Sequence, residues 1–319
     1  MALAIICSGG DAPGMNPAIK KFVDIVYEKG RQPYFIYDGL EGLIDGKIVK
    51  AQHKDVAGIV HRGGAIIRSS RSKRFFEYRY REQAFRNLQK HDIDSVVVLG
   101  GDGSFRALNV MSQEFPIKFV GIPTTIDNDI YGTDTCIGVD TALNVIRGAL
   151  DNIRDTASTF NRAFVVEVMG RECGYLAVVS AATSGAEICL IPEVDFNWEV
   201  AKKHLKSEIE NGRKYILSIV AEGTKLTNDL ALWLEDEIGM ETRVTILGHV
   251  QRGGSPTVTD RMLAFEFVIK AVEHLHSFKE SNKVVTLEKG EYILKDISEI
   301  TSNKYTISPS LLALLNNLD

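Results

Sequence analysis

The sequence predicts an α/β protein whose sheets are mostly parallel and carry helices on both faces. Short runs of β-branched residues alternate with amphipathic stretches along most of the chain. Such alternation is typical of strand–helix units, and these units set neighbouring strands parallel. The length of 319 residues favours two domains. Neither a low-complexity linker nor a fixed-period repeat marks their boundary, which we expect near residue 138.

The first half of the chain alternates strand and helix from its start. An apolar run enters a glycine turn, and an amphipathic helix follows up to Glu28. Asn16 is predicted as the N-cap of that helix and Pro17 as its first residue, because these residue types favour those positions. Clusters of β-branched and aromatic residues predict the strands of the whole chain. The predicted strands are Leu3–Cys7, Pro33–Tyr37, Ser95–Leu99, Lys118–Ile122, Ala163–Val168, Glu187–Ile191, Tyr215–Ala221 and Thr242–Leu247.

The last part of the chain changes its pattern. Val258–His276 has the apolar period of an amphipathic helix. Residues 284–297 alternate around a glycine and predict a terminal hairpin. Pro309–Leu318 is predicted as a closing helix.

Composition narrows the function classes. The chain is 45% hydrophobic and 25% charged with a net charge of −5, which is typical of a globular protein and argues against a general nucleic-acid binder. The longest apolar runs are too short to span a bilayer, so no membrane partner is expected. Four cysteines without a CxxC pair predict a reduced, cytoplasmic protein that lacks structural zinc and disulfides.

Positive charge is concentrated between His61 and Lys90, where nine Arg or Lys stand against two Glu. Three interpretations are open for this run. It can form a solvated helix face, contact RNA, or bind a small polyanion such as a nucleotide.

Three loops at strand ends carry the unusual residues, where ligands bind in open α/β sheets. Two of them, CSGGDAPGMNPAIKK and VVVLGGDGSFRAL, lead from a strand through glycines into a helix. Glycines free backbone amides at a helix N-terminus, which is a ready phosphate site. Neither loop is a Walker A loop or a spaced GxGxxG motif. Because amides alone cannot neutralise a triphosphate, we expect Mg²⁺ held by carboxylates, together with arginines.

The third loop, GIPTTIDNDI, contains Asp127 and Asp129 on either side of Asn128. In an extended loop, residues i and i+2 point the same way, so both carboxylates can converge on one ligand. A structural role in helix capping or an Asx-turn is the alternative. In the functional interpretation Asp102 and Asp129 hold the metal, and Asp127 accepts the proton of an attacking hydroxyl.

Six motifs occur in one order over residues 8–261, and together they resemble the bacterial ATP-dependent 6-phosphofructokinase family. They are SGGDAPGMN, GGDGS, TIDND, VEVMGRECG, AEG and TRVTILGHVQRGGSPTVTDR. GGDG alone also occurs in NAD kinases and diacylglycerol kinases. The resemblance implies two Rossmann-like three-layer domains with the active site in the cleft between them. It implies that residues 1–138 plus about 251–300 bind ATP, and that 139–250 plus about 301–319 bind fructose 6-phosphate.

The same resemblance implies a glycolytic kinase that transfers the γ-phosphoryl group of MgATP to the 1-hydroxyl of fructose 6-phosphate. The implied catalytic residues are Asp127 as the base, Arg171 at the transferring phosphoryl group, Thr125 and Asp129. The implied ATP and Mg²⁺ residues are Gly10, Arg71, Gly101, Asp102, Gly103 and Ser104. The implied sugar-binding residues are Thr125, Asp127, Arg162, Met169, Gly170, Arg171, Glu222, Arg243, His249 and Arg252. Arg162 and Arg243 would reach in from a neighbouring subunit of a homotetramer.

Two alternatives differ in chemistry from this function. A pyrophosphate-dependent relative usually has a bulky carboxylate at Gly103 and a lysine at Thr124; the open Gly103 favours ATP, while Thr124 fits neither pattern. A non-catalytic sugar-phosphate-binding subunit is disfavoured by the intact Asp102, Asp127 and Arg171. Leu40 and Ala107 also depart from the family near the adenine and bear on donor choice.

Regulation is the second point at which the sequence departs from the family. Many relatives bind ADP and phosphoenolpyruvate at one site between subunits. Asp24 and His53 stand where arginines are usual, and Gly58 where an aspartate is usual, so we expect weak effector responses. The matching residues that remain are Lys20, Arg154, Glu187, Arg213 and Lys214.

Overall fold

Strands and helices alternate along the computed structural model, which describes residues 2–277 and 282–317. They form two units, Met1–Thr141 with Arg252–Tyr305 and Ala142–Gln251 with Thr306–Asp319. Each unit is therefore built from two separate stretches of the chain.

The elements have the following bounds. The strands are β1 (Ala2–Ser8), β2 (Gln32–Ile36), β3 (Ile48–Lys50), β4 (Ser69–Ser70), β5 (Ile93–Gly100), β6 (Lys118–Pro123), β7 (Ala163–Val168), β8 (Ile188–Leu190), β9 (Ile216–Ala221), β10 (Thr242–Ile246), β11 (Lys283–Glu288) and β12 (Glu291–Asp296). The helices are α1 (Met15–Glu28), α2 (Gly39–Asp45), α3 (Tyr78–Gln89), α4 (Asp102–Glu114), α5 (Val139–Phe160), α6 (Tyr175–Ser184), α7 (Trp198–Glu210), α8 (Thr227–Trp233), α9 (Val258–Ser277), α10 (Ile297–Ser302) and α11 (Pro309–Leu312). Short 3₁₀ turns include Arg74–Phe76, Glu222–Thr224 and Gly248–Arg252.

The first unit contains a sheet that has eight strands within the described residues, in the order β12-β11-β6-β5-β1-β2-β3 with β4 beside β1. The central pairs are parallel, and the outer pairs β11–β12 and β2–β3 are antiparallel. Strand β1 is buried along its whole length. Phe22 of α1 and Phe267 of α9 are fully buried in the same core, and burial of one such ring stabilises the fold by about 1.5–3 kcal/mol.

The second unit contains a parallel sheet with the order β10-β7-β9-β8, four strands in the part of the chain that the structure describes. Strand β9 is buried at every position because both faces of the sheet are covered. Val165, Val220 and Leu230 lie in its core. Strand β10 forms one edge, and its Val244 and Ile246 are exposed.

The fold class predicted from the sequence is confirmed, and each of the eight predicted strands is present, with ends that differ by at most two residues. The terminal hairpin is also confirmed, as β11 and β12. The closing helix is shorter than predicted, because α11 ends at Leu312 and a 3₁₀ turn follows over Ala313–Asn317. Leu318 lies outside the described residues.

The predicted N-cap of α1 is wrong. The helix begins at Met15, and Gly14 precedes it in the left-handed region with φ 108°. The side chain of Asn16 is turned away from the helix end, where it accepts from the amide of Ile66 and donates to the carbonyls of Arg62 and Gly63. These long-range bonds outweigh the local capping preference of Asn.

Most of the basic residues between His61 and Lys90 form ion pairs inside the first unit. Arg74 pairs with Glu41 and Asp45, and Arg81 makes two bonds to Glu114 at 2.6 Å each. Arg68, Arg79 and Arg86 also pair with nearby carboxylates. Within residues 2–277 and 282–317, no helix has both the length and the apolar character of a membrane span.

Candidate active site

Three loops of the first unit leave the sheet side by side. Ser8 at the end of β1 is in register with Gly100 of β5, and Gly100 is in register with Pro123 of β6. Parallel strands that end together place the loops that follow them at one edge of the sheet. The two glycine turns and the IDND loop therefore begin next to one another.

A serine joins the two glycine turns. The hydroxyl of Ser104 donates to the carbonyl of Ser8 at 3.0 Å and lies 2.8 Å from the Ser8 hydroxyl. Ser104 is buried, so its side chain is engaged within the protein and holds one turn against the other. Its backbone amide belongs to the first turn of α4, which starts directly after Gly101. This helix N-terminus presents amides suited to a phosphate.

The remaining residues of the second turn leave space beside the helix. A Cβ added to Gly103 would meet no atom within 4 Å, and one added to Gly101 would come no closer than 3.8 Å, to Thr125 Cβ. Thr125 thus stands next to the glycine turn. Asp102 is half-buried and forms an ion pair with Arg106 at 2.7 Å.

Asp127 lies at the centre of the third loop and is fully buried. Its Oδ1 is 3.7 Å from Nη2 of Arg252, whose side chain is 12% exposed. Arg252 also donates through Nη1 to the carbonyl of Asp11 at 3.2 Å, and Nη1 lies 3.1 Å from a Cβ built on Gly10. One guanidinium therefore connects the first glycine turn with the buried carboxylate.

The IDND loop is not extended, so this part of the sequence interpretation is wrong. Asn128 has a left-handed backbone with φ 53°. Its amide side chain accepts from the amide of Cys136 at 2.9 Å and donates to the carbonyl of Asp134 at 3.2 Å. Asn tolerates this conformation better than most residues, and its own hydrogen bonds stabilise it here. Asp129 follows Asn128 and is half-buried.

The carboxylates of this unit match part of what Mg²⁺ requires. Mg²⁺ is usually held by one or two carboxylates together with phosphate oxygens and water. Asp102 follows the second glycine turn and Asp129 belongs to the IDND loop, and the described residues hold no group of three or more His, Cys, Asp or Glu arranged for a metal. A site of this kind depends on the phosphates of a bound nucleotide.

The second unit carries the other predicted residues on the loop after β7. Gly170 and Arg171 both have positive φ, 138° and 53°. The backbone amide of Arg171 donates to Glu222 Oε1 at 3.0 Å. The backbone carbonyl oxygen of Arg171 would lie 1.8 Å from a Cβ added to Gly223. Glu222 and Gly223 therefore fix both sides of the Arg171 peptide. Arg171 is exposed.

Arg162 and Arg243 share a carboxylate. Arg162 Nε bonds Glu241 Oε2 at 2.7 Å, and Arg243 bonds the other oxygen of Glu241. The Arg162 guanidinium also lies over the ring of Phe160 at 5.1 Å. His249 is exposed on the turn Gly248–Arg252. These residues are accessible on the second unit.

Arg71 is exposed after β4 and makes no ion pair within the residues that the structure describes. Leu40 is buried in α2, and Ala107 is half-buried in α4. Arg71 is thus available for a ligand, in contrast to most arginines of the basic run.

The residues assigned to an effector site are largely paired. Lys20 Nζ lies 2.6 Å from Asp24, and His53 Nδ1 lies 3.3 Å from the same carboxylate. In the second unit, Glu187 pairs with Arg213 and accepts from the amide of Leu217, and burial raises the pKa of Glu187. Arg154 donates to the carbonyl of Gly185 at 3.1 Å. Arg213 and Lys214 also line an open cavity of about 490 Å³.

The fold and these loops define an α/β protein equipped for phosphoryl transfer: amide cradles at helix N-termini, acidic residues beside them, and arginines within reach. A model of the phosphofructokinase family matches residues 2–275. The chain belongs to the phosphofructokinase family.

Relatives agree over nearly the whole chain. The ATP-dependent 6-phosphofructokinase of Sulfurimonas denitrificans is 57% identical over 314 residues, covering 98% of both chains. That of Thermotoga neapolitana is 44% identical and covers 97% of both. The Pichia pastoris phosphofructokinase structure in the T-state has a TM-score of 0.89 at 36% identity; it matches 94% of this chain, which spans 35% of that longer one. A pyrophosphate-dependent enzyme from Marinobacter aquaeolei, at 20% identity and a TM-score of 0.84, is similar in fold alone.

Proposed function

We propose that this protein is an ATP-dependent 6-phosphofructokinase. It transfers the γ-phosphoryl group of ATP to the 1-hydroxyl of fructose 6-phosphate and releases ADP and fructose 1,6-bisphosphate. The observation that carries the proposal is the shared end of β1, β5 and β6, where two glycine turns adjoin a buried aspartate and an arginine. The names of the full-length relatives support the same activity.

Binding of the donor is assigned to the first unit. The amides of the glycine turns at Gly10 and Gly101–Ser104 hold the phosphates, and Arg71 supplies a free positive charge. Asp102 and Asp129 would hold Mg²⁺, which would neutralise phosphate charge when bound. Asp102 is paired with Arg106 at 2.7 Å in this structure.

Asp127 acts as the general base. A carboxylate accepts the proton from the 1-hydroxyl as that oxygen attacks phosphorus. Arg252, at 3.7 Å, orients the carboxylate and adds positive charge beside it. Thr125 supports the loop through its hydroxyl, which accepts from the amide of Asp127 at 3.2 Å.

Recognition of the sugar phosphate is assigned to Met169, Gly170, Arg171, Glu222, His249 and Arg252. Arg171 reaches the transferring phosphoryl group, where its planar fork can meet two oxygens. A 6-phosphate dianion needs several donors, so Arg162 and Arg243 of a neighbouring subunit complete the site in a cytoplasmic homotetramer. Light scattering tests this arrangement, and a fully active monomer would contradict it.

One assay separates the candidate functions. Purified protein is given fructose 6-phosphate with ATP, GTP or pyrophosphate separately, and fructose 1,6-bisphosphate is measured. ATP should support turnover and pyrophosphate should not, because the space at Gly103 accommodates a nucleoside-bearing chain. Faster turnover with pyrophosphate would favour the second candidate, and no turnover with any donor would favour a non-catalytic sugar-phosphate-binding subunit.

Regulation by ADP and phosphoenolpyruvate is proposed to be weak. Lys20 is the matching effector-site cation on α1, and Asp24 pairs with it at 2.6 Å. Charge-assisted contacts contribute about 1.5–3 kcal/mol each, and allosteric coupling is typically about 1–3 kcal/mol. The loss of one or two such contacts is therefore enough to remove the response. Fructose 6-phosphate saturation curves with and without each effector test this, and a large sigmoidal shift would overturn it.

A further inference from the structure

Gln251 is a buried polar residue with no exposed surface, and both ends of its carboxamide are used. Its Oε1 accepts from the backbone amide of Met169 at 3.1 Å. Its Nε2 donates to the carbonyl of Gly248 at 3.0 Å. The side chain therefore ties the loop after β7 to the turn after β10.

The Gln251 hydrogen bonds begin where the backbone pairing of β7 with β10 ends. Parallel pairing of β7 with β10 continues through the bond from the Leu247 amide to the Glu167 carbonyl at 3.1 Å. Two residues further along, the amide of Met169 donates to the Gln251 side chain. The carboxamide takes the place of the next peptide group, and it satisfies a backbone donor that would be costly to leave unpaired.

Both of the joined loops contain a glycine with positive φ, Gly170 at 138° and Gly248 at 53°. Glycine permits a wide range of conformations, so these loops need an outside restraint to hold one spacing. The Gln251 carboxamide provides such a restraint, since one rigid group bonds to both.

We propose that Gln251 is a positioning residue for the sugar phosphate. It sets the spacing between the loop Met169–Arg171 and the turn that carries His249, and it does not contact the substrate itself. The inference rests on the proposed function, because the two loops matter to catalysis only if they bind fructose 6-phosphate. Its loss should weaken recognition of the sugar and leave recognition of ATP unchanged.

Two variants test the proposal. Q251M is close in length and removes both hydrogen bonds. Q251E keeps an acceptor for the Met169 amide but, as a carboxylate, cannot donate to the Gly248 carbonyl. We expect KM for fructose 6-phosphate to rise at least about tenfold in Q251M and by less in Q251E, while KM for ATP stays within about twofold in both. A rise of tenfold corresponds to about 1.4 kcal/mol.

A matched control is available in the first unit. Asn87 is also a buried carboxamide, and it donates to the carbonyls of Leu43 and Ile44. N87L should lower Tm without changing KM for either substrate, because none of these residues belongs to the proposed site. A purely structural role of Gln251 would make Q251M behave in the same way.

The outcomes are distinct. If the wild type does not phosphorylate fructose 6-phosphate, the proposed function is wrong, and the inference about Gln251 is wrong with it. If the wild type is active and both Gln251 variants keep the wild-type KM for the sugar, or shift both KM values equally, the inference alone is overturned. Failure of both variants to fold, while N87L folds, would assign Gln251 a structural role and would overturn it as well.

Discussion

Replacing Gly223 by alanine should displace Arg171 while leaving its side chain chemically unchanged. Gly223 follows Glu222 in the turn after β9, and an added Cβ would lie 1.8 Å from the carbonyl oxygen of Arg171. Contacts of a Cβ below 3.0 Å essentially do not occur, so the Arg171 peptide must move by about 1.2 Å, the difference between these two distances. The move also strains the 3.0 Å bond from the Arg171 amide to Glu222.

The size of this displacement sets the expected loss of catalytic rate. Misplacing a catalytic group by about 1 Å can cost about 10²-fold in rate, which corresponds to about 2.7 kcal/mol in the barrier. We therefore expect G223A to lower kcat about 10²-fold in a coupled assay for ADP release. KM for ATP should change little, because the proposed donor-binding loops belong to the first unit.

Two comparisons make the G223A result decisive. Gly148 lies within α5, and a Cβ there meets no atom within 4 Å, so G148A should keep kcat within about twofold and gain about 0.5–1 kcal/mol of stability. In an R171A background, G223A should have almost no further effect, because both changes act through one side chain. A folded G223A protein with wild-type kcat, or additive losses in the double variant, would refute the reasoning.

Three further predictions follow from single residues. D127N should lower kcat at least about 10²-fold as the general base is lost, with KM values nearly unchanged in steady-state assays; near-wild-type turnover would contradict the role. R243S should raise KM for fructose 6-phosphate about tenfold and KM for ATP hardly at all, since a charge-assisted bond to a dianion is lost; equal shifts would count against it. D260N should destabilise the fold by about 1–3 kcal/mol, because Asp260 accepts from the amides of Gly138 and Thr141. Burial raises the pKa of Asp260 in the folded protein above the value of 3.8 in the unfolded chain. The contribution of Asp260 to the free energy of unfolding is therefore fully present below pH 3.8 and is lost as the pH rises through the folded-state pKa. The stability gap between wild type and D260N, from denaturant titrations, should therefore narrow from pH 4 to pH 7, and a widening gap would contradict this sign.

The strands could be predicted from the sequence because each is a short, buried run with a clear apolar signal. Strand β1, for example, is apolar and buried along its length. Registers could not be predicted, since they depend on which strands become neighbours. The register of Ser8 with Gly100 brings two distant glycine turns together, and no local pattern in either segment contains that information.

Side-chain partners at long range were the main source of error. Local preference made Asn16 a helix cap, but its bonds to residues 62–66 use the side chain elsewhere. Arg74 and Arg81 of the basic run are paired with carboxylates 33 positions away, which no local pattern indicates. Gln251 lies between His249 and Arg252 in the motif, and only the structure shows that it is buried and bonded to Met169 and Gly248.

The backbone conformations of Asn128 and Arg171 were the least predictable features, and they bear directly on function. Both residues have φ of 53° in the left-handed region, where residues other than glycine are uncommon. Each is held there by contacts from outside its own turn: Cys136 and Asp134 bind the Asn128 side chain, and Glu222 binds the Arg171 amide. An unfavourable conformation persists only where the surroundings over-determine it. Asn128 adjoins Asp127 and Asp129, and Arg171 is itself assigned to catalysis. Because the restraining groups lie 6 to 51 positions away in sequence, the fold and not the motif fixes how these residues are presented.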